Sequence, residues 1–293
     1  MRSVTMFATL VAGCFAACLT IALPALAAAP RMTNWDAKEN GSPRTYHLGG
    51  YALTLSAKRG GDDMATPHLS VRAPGLPVVA LDGEAAGPVA RAGFAVLPLA
   101  RGEKPSVIFT TFSGGAHCCT QITVLQPVKG AWNTIDLGSW DGGGLGGVPK
   151  DADGDGVTDF VLVDNAFLYA FDSYAGSWAP PLILNVVDGH VKNVSAAPRY
   201  AALYRADMEK TKAACAEHSN GACAGYAADA ARIGHFDEAW KFVLAHYDRE
   251  SDWDYPTRCA GTRTNGECKG REIKPRDFPQ ALQWFLEDNG YRP

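Results

Sequence analysis

The run from Asp151 to Asp159 holds the densest group of possible metal ligands in the sequence. It reads Asp-Ala-Asp-Gly-Asp-Gly-Val-Thr-Asp, with carboxylates at positions 1, 3, 5 and 9 and glycine at position 6. Alternate residues of a tight loop place their side chains on one side, and calcium binds six to eight oxygen ligands. We therefore predict one structural calcium ion, bound by Asp151, Asp153, Asp155 and Asp159, with the carbonyl of Val157 as a further ligand.

The loop differs from an EF-hand, because Leu162 occupies the twelfth position, where a glutamate is required. Its D-x-D-x-D-G-x-x-D-F pattern resembles the calcium loop of FG-GAP/VCBS-type repeats, found in the propeller of integrin α chains and in bacterial surface and secreted proteins. The resemblance covers residues 151–186 and implies the same five ligands. A degenerate copy at 101–137 has Arg101-Gly102-Glu103-Lys104 in place of the acidic loop, so we expect it to bind no calcium.

No other residues have the spacing of an active site. His117 precedes Cys118, but adjacent residues rarely have the geometry of a Cys–His pair, and a disulfide would consume the thiol. The histidines show no H-x-x-x-H spacing, which makes a zinc site unexpected. We predict no catalytic residue and no cofactor besides calcium. In the alternative, a hydrolase, Asp172 and Asp188 or acids near the loop would serve as acid and base.

The N-terminus has the pattern of a secretory signal peptide at residues 1–27. An apolar stretch from Met6 to Leu23 follows Arg2, and Ala25-Leu26-Ala27 is a small-x-small cleavage pattern. Two alternatives stay open. One is an uncleaved anchor, because the apolar run is almost long enough to span a membrane. The other is a lipoprotein whose lipobox ends at Cys14, although the residues after Cys14 are apolar rather than the polar tether that a lipoprotein needs. No later segment is apolar enough to cross a membrane. The predicted location is therefore periplasmic or secreted.

The six cysteines after the predicted signal are an even number, which in an oxidising compartment is typical of disulfides. Their spacing suggests three local pairs: Cys118 with Cys119, Cys215 with Cys223, and Cys259 with Cys268. The adjacent pair keeps two interpretations, a structural bond or a redox-active or partner-linked pair. Neighbouring Cα atoms are only about 3.8 Å apart, below the usual range for a disulfide.

Short apolar runs between Gly, Pro and Asp residues predict strands up to residue 200. The predicted strands are Tyr51–Ala57, His68–Arg72, Val78–Leu81, Gly93–Leu99, Ser106–Phe112, Thr120–Gln126, Trp132–Leu137, Asp159–Val163, Phe167–Asp172 and Leu182–Val187. Residues 105–137 and 158–186 show weak internal sequence similarity, which suggests two blade-like units, each with a tryptophan (Trp132 or Trp178) at the same position.

After residue 200 the periodicity is helical. The predicted helices are Ala201–Glu217, Ala222–Ile233, Asp237–Tyr247 and Phe278–Asn289, the last with Asp277 as N-cap. Residues 224–248 resemble a single tetratricopeptide-type hairpin, although one copy is too few for a solenoid. A helical domain with cysteine staples is also loosely similar to periplasmic lysozyme-inhibitor-like proteins.

Together these patterns predict an α+β protein of two domains. An N-terminal linker (28–44) precedes an all-β domain (45–200) of blade-like, sandwich or incomplete-propeller type, and a small disulfide-stapled α-helical domain (201–293) follows. The net charge of −4 gives no basic surface for nucleic acid. We predict a calcium-binding interaction or scaffold module whose partner is a protein or glycan of the cell envelope. The alternative is a cell-envelope hydrolase or an inhibitor of an envelope-degrading enzyme.

Overall fold

The computed structural model describes residues 29–61, 63–141, 143–264 and 266–292. The predicted signal peptide, with Cys14 and Cys18, lies outside these residues. Within the described part of the chain, no helix is long and apolar enough to cross a membrane.

Among the described residues before 141, the chain forms nine strands and one short helix, α1 (Ala37–Asn40). The strands are β1 (Thr33–Asp36), β2 (Arg44–Leu48), β3 (Tyr51–Arg59), β4 (Ala65–Arg72), β5 (Val79–Asp82), β6 (Arg91–Leu97), β7 (Ser106–Phe112), β8 (Thr120–Val128) and β9 (Ala131–Trp140). They form a four-stranded sheet of order β2-β3-β4-β5 and a five-stranded sheet of order β1-β6-β7-β8-β9. The segment 28–44, predicted as a linker, therefore contains β1 and α1.

The two sheets pack face to face. Strand β3 alternates buried and partly exposed residues, and its Leu53 and Leu55 lie in one apolar cluster with Phe94 of β6 and Phe109 of β7. This alternation is expected when one face of an antiparallel strand meets a core and the other meets solvent. Burial of these side chains is the main force that holds the sheets together.

The five-stranded sheet is buried on its second face as well. Strand β7 is buried at six consecutive positions, because Val107 and Phe109 face the four-stranded sheet while Ile108 faces the other way. A third sheet covers that face, with strand order β10-β11-β12. Its strands are β10 (Phe160–Val163), β11 (Pro181–Val187) and β12 (His190–Asn193). The β region is thus three stacked sheets.

The helical region follows directly, with the bounds α2 (Ala201–Ala216), α3 (Asn220–Arg232), α4 (Phe236–His246) and α5 (Phe278–Asp288). All four helices lie within two residues of their predicted ends. Asp277 caps α5 as predicted, since its carboxylate accepts the backbone N–H of Gln280 at 2.9 Å. Tyr200 and Tyr204 pack with Ile183 against the outer face of the third sheet. The predicted α+β layout, with β and helical parts, is confirmed.

The connection between β10 and β11 departs from the prediction. The strand predicted at residues 167–172 is absent from this described segment: Phe167 ends a short 3₁₀ helix, Asn165–Phe167, and residues 168–172 form turns and bends before a second one, Tyr174–Gly176. Phe167 and Phe171 are spaced four residues apart and bury against the helical core. The two tryptophans of the predicted repeat do not lie in equivalent places, because Trp132 packs between the first two sheets and Trp178 packs against the helices.

Close backbone contact joins this connection to α3. A Cβ at Gly221 would clash with the carbonyl oxygen of Gly176, and a Cβ at Gly225 would clash with that of Trp178. Glycine is therefore needed at both positions for the helix to approach this closely.

The three predicted cysteine pairs are bonded. Cys215 near the end of α2 is joined to Cys223 in α3, and Cys259 is joined to Cys268. The latter bond joins two of four two-residue strands, β13 (Arg258–Cys259) and β15 (Glu267–Cys268). The other two are β14 (Arg263–Thr264) and β16 (Glu272–Ile273), and the strands pair as β13-β16 and β14-β15. Cys118 is joined to Cys119.

Candidate metal centre

The acidic loop leads into β10 and is fixed at both ends by backbone pairing. Lys150 pairs with Asp159, and Val157 pairs with Ala100. The backbone N–H of Arg101 also donates to the carbonyl of Gly156 at 2.8 Å. These contacts attach the loop to the segment after β6 and set its position on the third sheet.

Two glycines let the loop turn, since Gly154 and Gly156 have φ of 84° and 90°. L-residues with a side chain rarely adopt this left-handed conformation. The Asp151 carboxylate accepts the backbone N–H groups of both glycines, at 2.7 and 2.9 Å. In the same way, Asp153 accepts from Asp155 at 3.0 Å, and Asp155 accepts from Val157 at 2.8 Å. The local sequence therefore holds its own carboxylates in place.

Three of the four predicted carboxylates converge. Oxygens of Asp151, Asp153 and Asp159 all lie within 4.8 Å of one another. Asp155 is outside this group, and one of its oxygens faces Arg199 at 3.5 Å. Val157 lies beside the group, with its N–H bound to Asp155. The predicted ligands are thus neighbours, but only Asp151, Asp153 and Asp159 present oxygens to one point.

Asp159 is the most enclosed member of the group. The residue is 1% exposed. One oxygen accepts the backbone N–H of Ala152 at 2.8 Å. The other accepts the side-chain amide of Asn185 at 2.7 Å and the hydroxyl of Tyr200 at 2.6 Å. A buried carboxylate requires such partners, because its transfer from water is otherwise very unfavourable.

Asp153 is paired with Arg199. The Asp153 side chain is 1% exposed, and Arg199 Nε contacts its Oδ2 as an ion pair. That buried oxygen makes no hydrogen bond of good geometry within the described residues. Burial by itself would raise the pKa of Asp153, but the N–H of Asp155, the Tyr200 hydroxyl and the Arg199 guanidinium hold it below its ordinary value. The carboxylate is therefore ionised at neutral pH.

The donors suit a hard cation, because all of them are carboxylate oxygens and one of these is buried without an aligned hydrogen bond. Asp151, Asp153 and Asp159 would hold calcium. The group also has cations of its own, since Arg199 contacts Asp153, and the Arg101 side chain lies over Gly156. A calcium ion at this site would therefore have to compete with Arg199 for Asp153.

Sequence reasoning did not predict Arg199, Asn185 or Tyr200 at this site. They lie at least 26 residues from Asp159 along the chain. Asn185 on the third sheet and Tyr200 just before α2 contact Asp159, and Arg199 contacts Asp153. No local motif marks them. The two acids named for the hydrolase alternative lie in different parts of the fold. Asp188 is exposed in the turn between β11 and β12, and Asp172 lies beside Gly176 against α3.

Comparison with known proteins gives three findings. Residues 199–290 match the family model of the sll0997 C-terminal domain. The chain is 37% identical over 195 residues to the "Probable thylakoid lumen protein sll0997" of Synechocystis sp., an alignment that covers 64% of this chain and 56% of that protein. It is 32% identical over 271 residues to the "Uncharacterized protein y4bJ" of Sinorhizobium fredii, covering 88% of this chain and 41% of that protein.

The chain thus spans about half the length of these curated relatives, 56% and 41%. The family model covers all four long helices, α2 to α5, and begins at Arg199, which contacts the acidic loop. No solved structure matches the chain.

Proposed function

We propose that this chain is an extracytoplasmic protein whose acidic loop binds a structural calcium ion, and which acts by binding a partner in the cell envelope. The observation that carries the calcium proposal is the convergence of Asp151, Asp153 and Asp159 within 4.8 Å. Two of these three side chains are almost fully buried, which favours a fixed site over a solvated acidic surface. Calcium would neutralise them and order the loop.

Two observations support a place outside the cytoplasm. The chain has disulfides Cys118–Cys119, Cys215–Cys223 and Cys259–Cys268, and such bonds persist in oxidising compartments. One relative carries a name that places it in the thylakoid lumen, which is an extracytoplasmic compartment. The predicted signal peptide agrees with both.

Thermal and chemical unfolding with calcium or with chelator tests the site. A ligand that binds only the folded protein stabilises it by about 2.7 kcal/mol at 100 times its dissociation constant. We expect calcium to raise the melting temperature of the wild type and to have little effect on Asp153→Asn. Asp188→Asn, which removes an exposed acid from another turn, is the matched control and should keep the full response. Magnesium serves as the ion-selectivity control.

Arg199→Gln distinguishes an ion site from a permanent ion pair. Without calcium this variant should be less stable than the wild type, because buried Asp153 loses its cation. With calcium it should bind the ion more tightly than the wild type, because the competitor is gone. If neither protein responds to calcium, Arg199 is the permanent counter-ion and the calcium proposal is wrong.

The partner proposal is tested separately. We expect the calcium-loaded protein to co-sediment with purified envelope glycan or to form a specific cross-link to one envelope protein in cells. Asp153→Asn should weaken that interaction if calcium orders the surface. An absence of both glycan binding and cross-links in calcium would leave the interaction role without support, whatever the outcome of the unfolding experiments.

A further inference from the structure

A second polar cluster lies away from the acidic loop and joins three distant parts of the chain. His117 comes from the loop between β7 and β8, Asp141 directly follows β9, and Tyr169 lies in the connection between β10 and β11. His117 Nδ1 is 3.0 Å from both Asp141 oxygens, and His117 Nε2 is 2.8 Å from the Tyr169 hydroxyl. The order is that of a carboxylate–imidazole–hydroxyl relay.

Hydrogen-bond chemistry fixes the direction of the relay. Asp141 is 9% exposed, and an ionised carboxylate can only accept hydrogen bonds. In the neutral imidazole, Nδ1 of His117 therefore carries the proton and donates a hydrogen bond to Asp141. This leaves a lone pair on Nε2, so the Tyr169 hydroxyl donates to His117. The phenol is thus bound to a group that can remove its proton.

The groups of the relay are held in position. The His117 ring stacks on Tyr174, with centroids 3.7 Å apart and planes 14° from parallel. Tyr169 has φ of 60°, a conformation that non-glycine residues rarely adopt and that is concentrated at functional sites. Its N–H donates to the hydroxyl of Ser177 at 2.9 Å, and its carbonyl accepts from the Trp253 indole at 3.2 Å.

The loop that carries His117 is closed at its base. The N–H of Ser113 donates to the carbonyl of Cys119 at 2.9 Å, and the N–H of Cys119 donates to the Ser113 hydroxyl at 2.8 Å. At the other end of the relay, Tyr169 is 49% exposed. A base that is held in place therefore stands next to a tyrosine that is about half exposed.

We propose that Tyr169 is a nucleophile for acyl transfer, with His117 as its general base and Asp141 as the positioning residue. The substrate class is a carboxylic ester, and water is the final acceptor. Addition of a hydroxyl to an ester carbonyl requires that the hydroxyl lose its proton. A relay that accepts one proton from the Tyr169 hydroxyl can therefore assist this addition.

Each step balances. The Tyr169 oxygen attacks the carbonyl carbon while its proton passes to His117 Nε2, and Asp141 stabilises the imidazolium. The bond from the acyl carbon to the leaving alcohol breaks, and the alcohol takes the proton from Nε2. Water then attacks the Tyr169 ester, giving a proton to Nε2 that returns to the phenolate as the acid leaves. The net reaction is ester plus water to acid plus alcohol.

The test is acetylation by p-nitrophenyl acetate, followed by peptide mass spectrometry of the intact, disulfide-bonded protein. Tyr46, which is partly exposed on β2, serves as the reference tyrosine in the same digest. General-base assistance typically gives about 100-fold or more, so we expect Tyr169 to be acetylated at least about 100 times faster than Tyr46. Because only a neutral imidazole can accept the phenol proton, the excess should be larger at alkaline than at acidic pH.

Variants separate chemistry from structure. His117→Gln and Asp141→Asn should each bring Tyr169 close to the Tyr46 rate and remove the pH dependence of the excess. Asp237→Asn, an exposed acid on α4, is the matched control and should leave the ratio unchanged. Equal acetylation of Tyr169 and Tyr46 in the wild type would overturn the proposal without any variant, and so would an excess that survives His117→Gln.

Discussion

The clearest quantitative prediction concerns Asp229, a buried acid on α3. The residue is 0% exposed. Its Oδ1 has no hydrogen-bond partner among the described residues, and Thr211 reaches its Oδ2 only at 3.5 Å. Burial raises the pKa of Asp229 to about 9, with further increases from the charge of Asp207 and a hydrogen bond to it. Burial also raises the pKa of Asp207. Asp229 is therefore protonated at neutral pH and shares its proton with Asp207.

The sign of the pH dependence follows from proton counting. Between the ordinary pKa of 3.8 and the folded pKa of about 9, the folded state holds a proton that the unfolded state has lost. The free energy of unfolding therefore falls as pH rises, by about 1.4 kcal/mol per pH unit for one proton. From pH 5 to pH 7 this contribution amounts to about 2.7 kcal/mol.

Asp229→Asn removes the titration but keeps an amide that can bind Asp207. We expect urea unfolding, followed by the circular dichroism of the helices, to show a flatter pH dependence than in the wild type. The variant should gain stability relative to the wild type by about 2.7 kcal/mol between pH 5 and pH 7. Asp237→Asn on α4 removes an exposed acid and should retain the wild-type slope. Equal slopes for wild type and Asp229→Asn would refute the reasoning.

Two further substitutions test packing and the site. Gly221→Ala should lower the free energy of unfolding by about 1–3 kcal/mol, because its Cβ would clash with the Gly176 carbonyl. Gly61→Ala is the control and should be nearly neutral, since a Cβ there meets no atom within 4 Å. Equal effects of the two substitutions in urea unfolding would argue against the close approach of α3. In the presence of chelator, Tyr200→Phe should lower the free energy of unfolding by about 1.5–3 kcal/mol, because the buried Asp159 carboxylate loses a hydrogen-bond donor. An unchanged melting temperature would show that this hydrogen bond does not stabilise the fold.

The helices and most strands could be predicted because their signals are local. Helical periodicity, the Asp277 cap and alternating burial each depend on residues within one element. The prediction of a strand at residues 167–172 was wrong. An apolar pattern indicates that residues are buried, but it does not indicate which element buries them. Phe171 is buried by helices rather than by a sheet, and the close approach of Gly221 and Gly225 joins this connection to α3.

The acidic loop and the local pairs Cys215–Cys223 and Cys259–Cys268 could be predicted from the residues alone. Ligand spacing, glycine positions and short disulfide loops depend on chain geometry over a few residues. Tertiary structure alone decided which groups complete each site. Arg199 reaches Asp153, and Tyr169 reaches His117 from 52 residues away, because sheets and helices bring these segments together. Contacts at such separations are set by the packing of whole elements, which no local pattern encodes.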